Sequence, residues 1–255
     1  MSTIDTASPL SVLPAVSRVQ RVRHEIKRRE LQVVRVESPT PHTRRVVLRG
    51  DSLADFISAS FDDHIKLILG DAGSEPVRRD YTPRQFDVQA RELSIEFALH
   101  GDGPAAAWAA NAKPGDSAVV AGPRGSFVIP TDYDWHLLIG DETALPAIAR
   151  RLEELPAGSR AIVIGLTDDA ADRRDFRSAA SLDLRWVDST DELVDAVHAL
   201  QLPGGEGYAW CAGEASAMSV LRRILVEDKG VPRHNIRAAA YWKRGARAHY
   251  ENLED

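Results

Sequence analysis

The pattern of the sequence changes near Asp134, and this change limits the possible folds more than any other feature. Before it, short β-branched and apolar runs are broken by Gly, Pro and Asp. After it, apolar strands alternate with helical stretches. Closely spaced short strands favour an antiparallel barrel. Strand–helix alternation implies right-handed crossovers and a parallel sheet. The expected fold class is mixed β and α/β: an N-terminal antiparallel β-barrel followed by a C-terminal parallel α/β sheet. The expected division is a loose tail over residues 1–19, a barrel over 20–131 and an α/β half over 132–255.

In the first half, Leu31 to Val36 is β-branched and stops at Ser38-Pro39-Thr40-Pro41, and Arg45 to Arg49 is stopped by Gly50-Asp51. Ile65, Leu67 and Leu69 alternate with His64, Lys66 and Ile68. The clearest two-residue period is Leu93, Ile95, Phe97 and Leu99, with Ser94, Glu96 and Ala98 between them. Ala118 to Val120 follows, closed by Gly122-Pro123-Arg124-Gly125. One stretch, from Gly103 to Ala110, is an alanine-rich helix with Pro104 in its first turn. A glycine-led helix start offers free N–H groups and a positive dipole end, which suit a pyrophosphate. The same stretch also reads as a connector whose Trp108 caps the barrel.

In the second half, strands are expected at Trp135 to Ile139, Ala161 to Leu166, Leu184 to Val187, Tyr208 to Ala212 and Ile236 to Tyr241. The second of these is an uninterrupted apolar run of the buried parallel type. Helices are expected between them, one of which carries Met218, Leu221, Ile224 and Leu225 on one face. Ligands on such sheets sit beyond the carboxyl ends of the strands. Those ends carry Gly140-Asp141-Glu142-Thr143, Thr167-Asp168-Asp169 and Cys211-Ala212-Gly213-Glu214.

Between the strands of the first half lies Arg79-Asp80-Tyr81-Thr82-Pro83-Arg84. Guanidinium groups pair with phosphate oxygens, a tyrosine ring covers a flat heteroaromatic, and a hydroxyl hydrogen-bonds a ring nitrogen. The hexamer also reads as an ordinary strand end at which Pro83 stops the ladder and the arginines are solvated.

The remaining composition narrows the function. With 44% hydrophobic and 27% charged residues the 255-residue chain is globular, and its net charge of −6 argues against general nucleic-acid binding. An anionic ligand would need a local basic cluster. The single cysteine, Cys211, excludes an intrachain disulfide and a thiolate metal cluster. The eight histidines show no HExxH or other tight metal spacing. Residues 1–19 lack the basic start and long apolar run of a signal peptide, and no stretch approaches the ~20 apolar residues of a membrane span. A cytoplasmic location is expected.

The barrel with its Arg-x-Tyr-Thr cluster and the following α/β half resemble the ferredoxin–NADP reductase superfamily. Within it the chain resembles the siderophore-interacting proteins, or ferric-siderophore reductases. The resemblance is carried by Thr40-Pro41-His42-Thr43-Arg44-Arg45-Val46, Asp63-His64-Ile65-Lys66-Leu67, the hexamer, and His100-Gly101-Asp102-Gly103-Pro104-Ala105-Ala106-Ala107-Trp108. It continues with Gly122-Pro123-Arg124-Gly125-Ser126, Gly140-Asp141-Glu142-Thr143-Ala144-Leu145-Pro146, Ala212-Gly213-Glu214 and Tyr241-Trp242-Lys243-Arg244-Gly245.

The resemblance implies bound FAD. Arg79 would hold its pyrophosphate, Tyr81 would lie on the isoalloxazine, and Thr82 would meet the redox-active ring edge. Arg84 would join the same pocket, with His100, Gly103, Ala105 and Trp108 on the diphosphate and adenine side. NADPH or NADH is implied as electron donor, at Asp141, Glu142, Thr143, Ala144, Gly213 and Glu214. The superfamily's glycine-rich turn is here replaced by Gly140-Asp141-Glu142-Thr143, whose carboxylates would repel a pyrophosphate. The donor's pose therefore stays open, as does a ferredoxin-type donor. Asp168 and Asp169 suit the ribose hydroxyls of NADH, and Arg173 and Arg174 the extra phosphate of NADPH. A solvated loop explains all four as well. Cys211 reads either as a cysteine near the nicotinamide or as a small buried residue.

The implied substrate is a ferric siderophore, an often anionic chelate, met by Lys66, Arg124 and Arg244, with Lys243 beside the last. Iron bound by hard oxygen ligands is released on reduction because Fe(II) is held far less tightly. Two other classes remain open: a flavin reductase serving a partner, and a siderophore carrier without redox activity.

Overall fold

The structure is a computed structural model and describes residues 17–70, 76–99, 103–246 and 250–253. The first half contains β1 (Gln20–Arg23), β2 (Arg28–Thr40), β3 (Thr43–Arg49), β4 (Ile65–Leu69), β5 (Val77–Tyr81), β6 (Gln85–Asp87) and β7 (Glu92–Ala98). These are followed by α1 (Pro104–Asn111), β8 (Ser117–Ala121) and β9 (Gly125–Val128). Seven strands form one antiparallel sheet in the order β5-β4-β8-β2-β3-β7-β6, while β1 and β9 pair separately. Only Thr82-Pro83-Arg84 separates β5 from β6, so the two edges of the sheet lie close together. No ladder joins them among the described residues, and the expected barrel is therefore an open one.

The alternation read from the sequence sets the core of this sheet. Leu31, Val33, Val46, Leu48, Ile65, Leu67, Leu93, Ile95 and Phe97 converge inside it, all under 5% exposed. Each such side chain contributes roughly 1.5–3 kcal/mol by leaving water. α1 packs against β3, β5 and β7.

The second half contains β10 (Trp135–Gly140), α2 (Leu145–Glu154), β11 (Arg160–Leu166), β12 (Ser181–Val187) and α3 (Thr190–Ala199). β13 (Gly207–Glu214), α4 (Ala215–Arg223), β14 (Ile236–Trp242) and β15 (Glu251–Asn252) complete it. The sheet order is β12-β11-β10-β13-β14-β15, parallel throughout except for the last strand. One face is covered by α3 and α4 through Leu193, Val197, Met218 and Leu221, with Leu225 of the π-helical turn that follows α4. The other is covered by α2 through Leu145, Ile148 and Leu152, together with Phe61, Ile129 and Tyr133. No helix among the described residues is long and apolar enough to cross a membrane.

The strand order places a crevice between β10 and β13. From β10 the chain moves outward to β11 and β12, then returns to the other side of β10 as β13. Parallel sheets bind ligands at such reversals, beyond the carboxyl ends of the strands.

The two halves are joined by ion pairs and not by apolar contacts alone. Arg84 makes two hydrogen bonds to Glu153 of α2, at 2.8 and 2.6 Å. Arg150 of α2 donates to the carbonyls of Pro83 and Ser58, at 3.1 and 2.9 Å. Glu96 of β7 receives Arg45 at 2.6 Å and Arg174 at 2.8 Å. Burial pushes the Glu96 carboxyl up, but these guanidinium groups outweigh it and hold it below the usual range.

Candidate active site

A cleft of about 460 Å³ lies between the two halves, within the size range of ligand pockets. Its first-half wall is formed by Lys66, Arg78, Arg79, Asp80, Tyr81 and Thr82. Successive side chains on a strand point to opposite faces, so Arg79 and Tyr81 share one side of β5 and Arg78 and Asp80 the other. Both sets line the cleft, which therefore wraps around the β5 edge.

On the first side the Tyr81 ring rests on Phe97, with centroids 4.4 Å apart, and Phe97 in turn contacts Trp108 at 5.7 Å. Burial pushes the Tyr81 hydroxyl above its ordinary range, so it stays a neutral phenol at physiological pH. Arg79 donates to the Arg78 carbonyl at 2.8 Å. Gly103 starts α1 without a side-chain cap, and no acidic residue lies in the helix's first turn. Ala105 is buried beneath that turn. His100 lies outside the described residues.

On the other side of β5, Lys66 stands opposite Asp80 in the β4–β5 ladder and bonds it at 2.8 Å. The second Asp80 oxygen is buried with no hydrogen-bond partner among the described residues. The His64 ring packs on Tyr250 with centroids 4.4 Å apart and planes tilted by 42°, and both residues line the cleft.

The second-half wall is formed by Glu142, Thr143, Pro146, Tyr241 and Trp242. Asp141 is turned inward, only 4% exposed. Its Oδ1 accepts the Thr143 N–H at 3.0 Å and the Thr143 hydroxyl at 2.5 Å. Its Oδ2 accepts the Glu214 N–H at 3.0 Å and the Trp242 indole at 2.8 Å. Loss of hydration raises the Asp141 pKa, opposed by these donors. Gly213 is what permits the contact. Its φ is +153°, and a Cβ there would stand 2.5 Å from Asp141 Oδ2. Glu214 caps α4, accepting the N–H groups of Ser216 and Ala217 at 2.7 and 3.2 Å. Those bonds outweigh its burial and lower its pKa.

The structure places several of the expected site residues away from the cleft lining. Arg84 does not line the cleft, because both its terminal nitrogens are held by Glu153. Arg124 is exposed on the turn between β8 and β9, outside the cleft lining. Arg244 is also outside the lining, but Trp242 and Ala246 on either side of it belong to it. Asp141 has its oxygens occupied internally, and Ala144 is fully buried, so neither offers a surface to a donor. Cys211 lies in the core beneath α4, with its thiol pushed up to about 12 by burial. A thiol in that state is inert packing. Arg173 pairs with Asp188, and Arg174 with Glu96.

The sequence reading missed Arg78, His64, Tyr241, Trp242 and Tyr250 as cleft residues. Arg78 had a signal, since it directly precedes Arg79 on an edge strand. Tyr250 had none, because only the pairing of β15 with β14 returns the polar tail to the cleft.

The fold and cleft define a two-part reductase-like protein, an antiparallel sheet joined to a parallel α/β sheet. A family model described as siderophore-interacting protein matches residues 133–245, and one described as siderophore-interacting FAD-binding domain matches 32–76 and 70–127. The chain is 37% identical to the NADPH-dependent ferric-chelate reductase of Escherichia coli, covering 88% of this chain and 96% of that protein. It is 31% identical to the ferric vibriobactin reductase ViuB of Vibrio cholerae, covering 85% and 90%. The crystal structure of a siderophore utilization protein from T. fusca matches at 34% identity with a TM-score of 0.84, covering 93% of this chain and 99% of that one. The chain belongs to the siderophore-interacting protein family.

The residues present fit FAD. An aromatic wall at Tyr81 and cations at Arg78 and Arg79 belong to β5, the Thr82 hydroxyl directly follows it, and the helix packed on it starts uncapped at Gly103. A flat ring system carrying a pyrophosphate requires those features.

Proposed function

We propose that this protein is an FAD-dependent ferric-siderophore reductase that takes electrons from NADPH and releases iron as Fe(II). The observation that carries this reading is the cleft itself. It joins a cation-and-aromatic wall on β5 to the carboxyl ends of a parallel sheet. FAD supplies the step between a two-electron hydride donor and a one-electron acceptor. The relatives named as ferric-chelate and ferric vibriobactin reductases carry out the same class of reaction by name.

In this reading residues 20–131 hold FAD and residues 132–255 meet the donor. Arg79 pairs with the pyrophosphate, and Gly103 at the start of α1 adds its backbone N–H. Tyr81 covers the ring system and Thr82 hydrogen-bonds its edge, with Trp108 and Ala105 behind. Thr143 and Glu142 border the donor's path. Lys66 and Arg244 attract the anionic chelate toward the cleft against a net charge of −6. No acid–base dyad is needed, because the iron is reduced and no bond of the chelator is broken. The reaction belongs in the cytoplasm, where reduced nicotinamide is available.

The test is anaerobic. The FAD-loaded protein is mixed with NADPH, NADH or reduced ferredoxin, and the flavin spectrum is followed. A ferric catecholate or hydroxamate is then added. Bleaching by NADPH and recovery on adding a ferric chelate are expected. Rapid turnover with free flavin and no saturation by any ferric chelate would instead identify a general flavin reductase. Lys66→Ala and Arg244→Ala should weaken chelate reduction with flavin content intact, and unchanged kinetics in both would remove the basic-patch role.

A further inference from the structure

Six backbone N–H groups at the parallel strand ends are already occupied by the chain's own carboxylates. Glu142 accepts the Asp168 N–H beyond β11 at 2.7 Å. Asp141 accepts those of Thr143 and Glu214, each at 3.0 Å. Glu214 accepts those of Ser216, Ala217 and Arg244, at 2.7, 3.2 and 3.3 Å. Three acidic side chains thus satisfy six N–H donors around the crevice between β10 and β13. Donors of this kind carry a dinucleotide's pyrophosphate where such a crevice binds one.

We propose that this carboxylate edge excludes the donor's pyrophosphate from the crevice, so that NADPH reaches the cleft with its phosphates outside it. Glu142 sets the strength of the exclusion. Asp141 is buried and Glu214 lies outside the cleft lining, whereas Glu142, which holds the Asp168 N–H, is half-buried and lines the cleft. It is therefore the charge that an approaching phosphate meets, at short range and with incomplete solvent screening. The inference rests on NADPH being the donor. It makes Glu142 a determinant of how that donor binds and not a ligand for it. A purely structural latch would predict lower stability on substitution but no gain in donor affinity.

The experiment uses the FAD-loaded full chain. Glu142→Gln keeps an acceptor for the Asp168 N–H and removes the charge. With ferric citrate as acceptor, KM for NADPH should fall roughly three- to tenfold, the order expected for one like charge a few ångströms from a phosphate. For the unaltered protein, KM should also fall as salt rises from about 0.02 to 0.3 M, because screening weakens repulsion. That dependence should flatten in the variant. A variant KM that is unchanged or raised, or a KM that rises with salt in the unaltered protein, overturns the proposal.

A second arm does not depend on the donor. Inorganic pyrophosphate should leave the thermal midpoint of the unaltered protein unchanged and raise that of the Glu142→Gln/Glu214→Gln double variant. Equal protection of both proteins, or protection of neither, overturns the exclusion. If the unaltered protein oxidises no NADPH at all, the donor reading fails by itself, and the pyrophosphate arm still decides this one.

Discussion

The two walls of the cleft both present strand ends near a helix N-terminus, yet they treat them in opposite ways. On the antiparallel side, β5 lines the cleft with Arg78 and Arg79, and α1 begins at Gly103 without a cap or an acidic first turn. On the parallel side, α4 is capped by Glu214, and Asp141 ties the ends of β10, β13 and β14 together. The first arrangement leaves its cations and helix start open to an anion; the second contains its own carboxylates. In the proposed function this difference separates a phosphate-bearing group that stays bound from one that must come and go.

The largest effect should come from breaking the closed side. Gly213→Ala would place a Cβ 2.5 Å from Asp141 Oδ2 at a φ of +153°. Overpacking and positive-φ strain together cost about 3 kcal/mol. Thermal unfolding should show a fall in Tm of about 6–12 °C. A fall below about 2 °C would mean that the Asp141 tie contributes little. On the open side, Arg79→Ala removes a charge-assisted phosphate bond, and FAD affinity should drop by about 2–3 kcal/mol, roughly 30- to 150-fold. Fluorescence titration of the apoprotein with FAD measures it. Unchanged affinity would take Arg79 out of the flavin's seat.

Much of this contrast was legible in the sequence, for identifiable reasons. Strong periods gave the strands: Leu93, Ile95 and Phe97 are fully buried, as alternation requires. Local chemistry pointed to Arg79, Tyr81 and Thr82, because they lie together at the end of an edge strand. What depended on docking of the halves was not legible. Ser94 and Glu96 occupy the polar positions of β7, yet they are only 8% and 4% exposed, and Arg174 of the α/β half lies on Glu96. Arg84 looked like a ligand-binding arginine, but its partner Glu153 lies 69 residues away on α2. Asp141 read as a charge facing the donor because sequence cannot reveal that Glu214 and Trp242 donate to it. β1 and β15 were invisible since both are short, polar and exposed.

Arg84 and Arg79 sharpen the comparison further, since they lie in one hexamer and act on different things. Arg84→Ala leaves Glu153 without its two hydrogen bonds, but the Glu153 side chain is 29% exposed, so solvent offsets part of the loss. A cost of about 1–2 kcal/mol is expected, a fall in Tm of about 3–6 °C. FAD affinity should stay within about twofold, because Arg84 does not line the cleft. A loss of FAD as large as that in Arg79→Ala would return Arg84 to the pocket.

The smallest effect concerns pH and the contact between the two walls' supports. His42, ahead of β3, donates its backbone N–H to Asp172 at 2.9 Å, and its ring Nδ1 lies 2.8 Å from the same carboxylate. Asp169 stands 3.9 Å away. The hydrogen bond to Asp172 raises the His42 pKa above 6.5. Burial pushes the Asp172 carboxyl up, but its hydrogen bonds, first that from the His42 N–H, hold it below 3.8. A raised histidine stabilises the fold fully below its unfolded value and loses that contribution as pH climbs through its folded one. A lowered carboxylate contributes above its unfolded value and loses that as pH falls through its folded one. The pair should therefore contribute most between about pH 4 and 6.5. Tm measured against pH for His42→Gln should lie about a degree below the unaltered protein at pH 5.5. The two curves should converge by about pH 9. A gap that persists at alkaline pH would assign the contact to the neutral ring and not to its charge, because the variant keeps the backbone N–H that donates to Asp172.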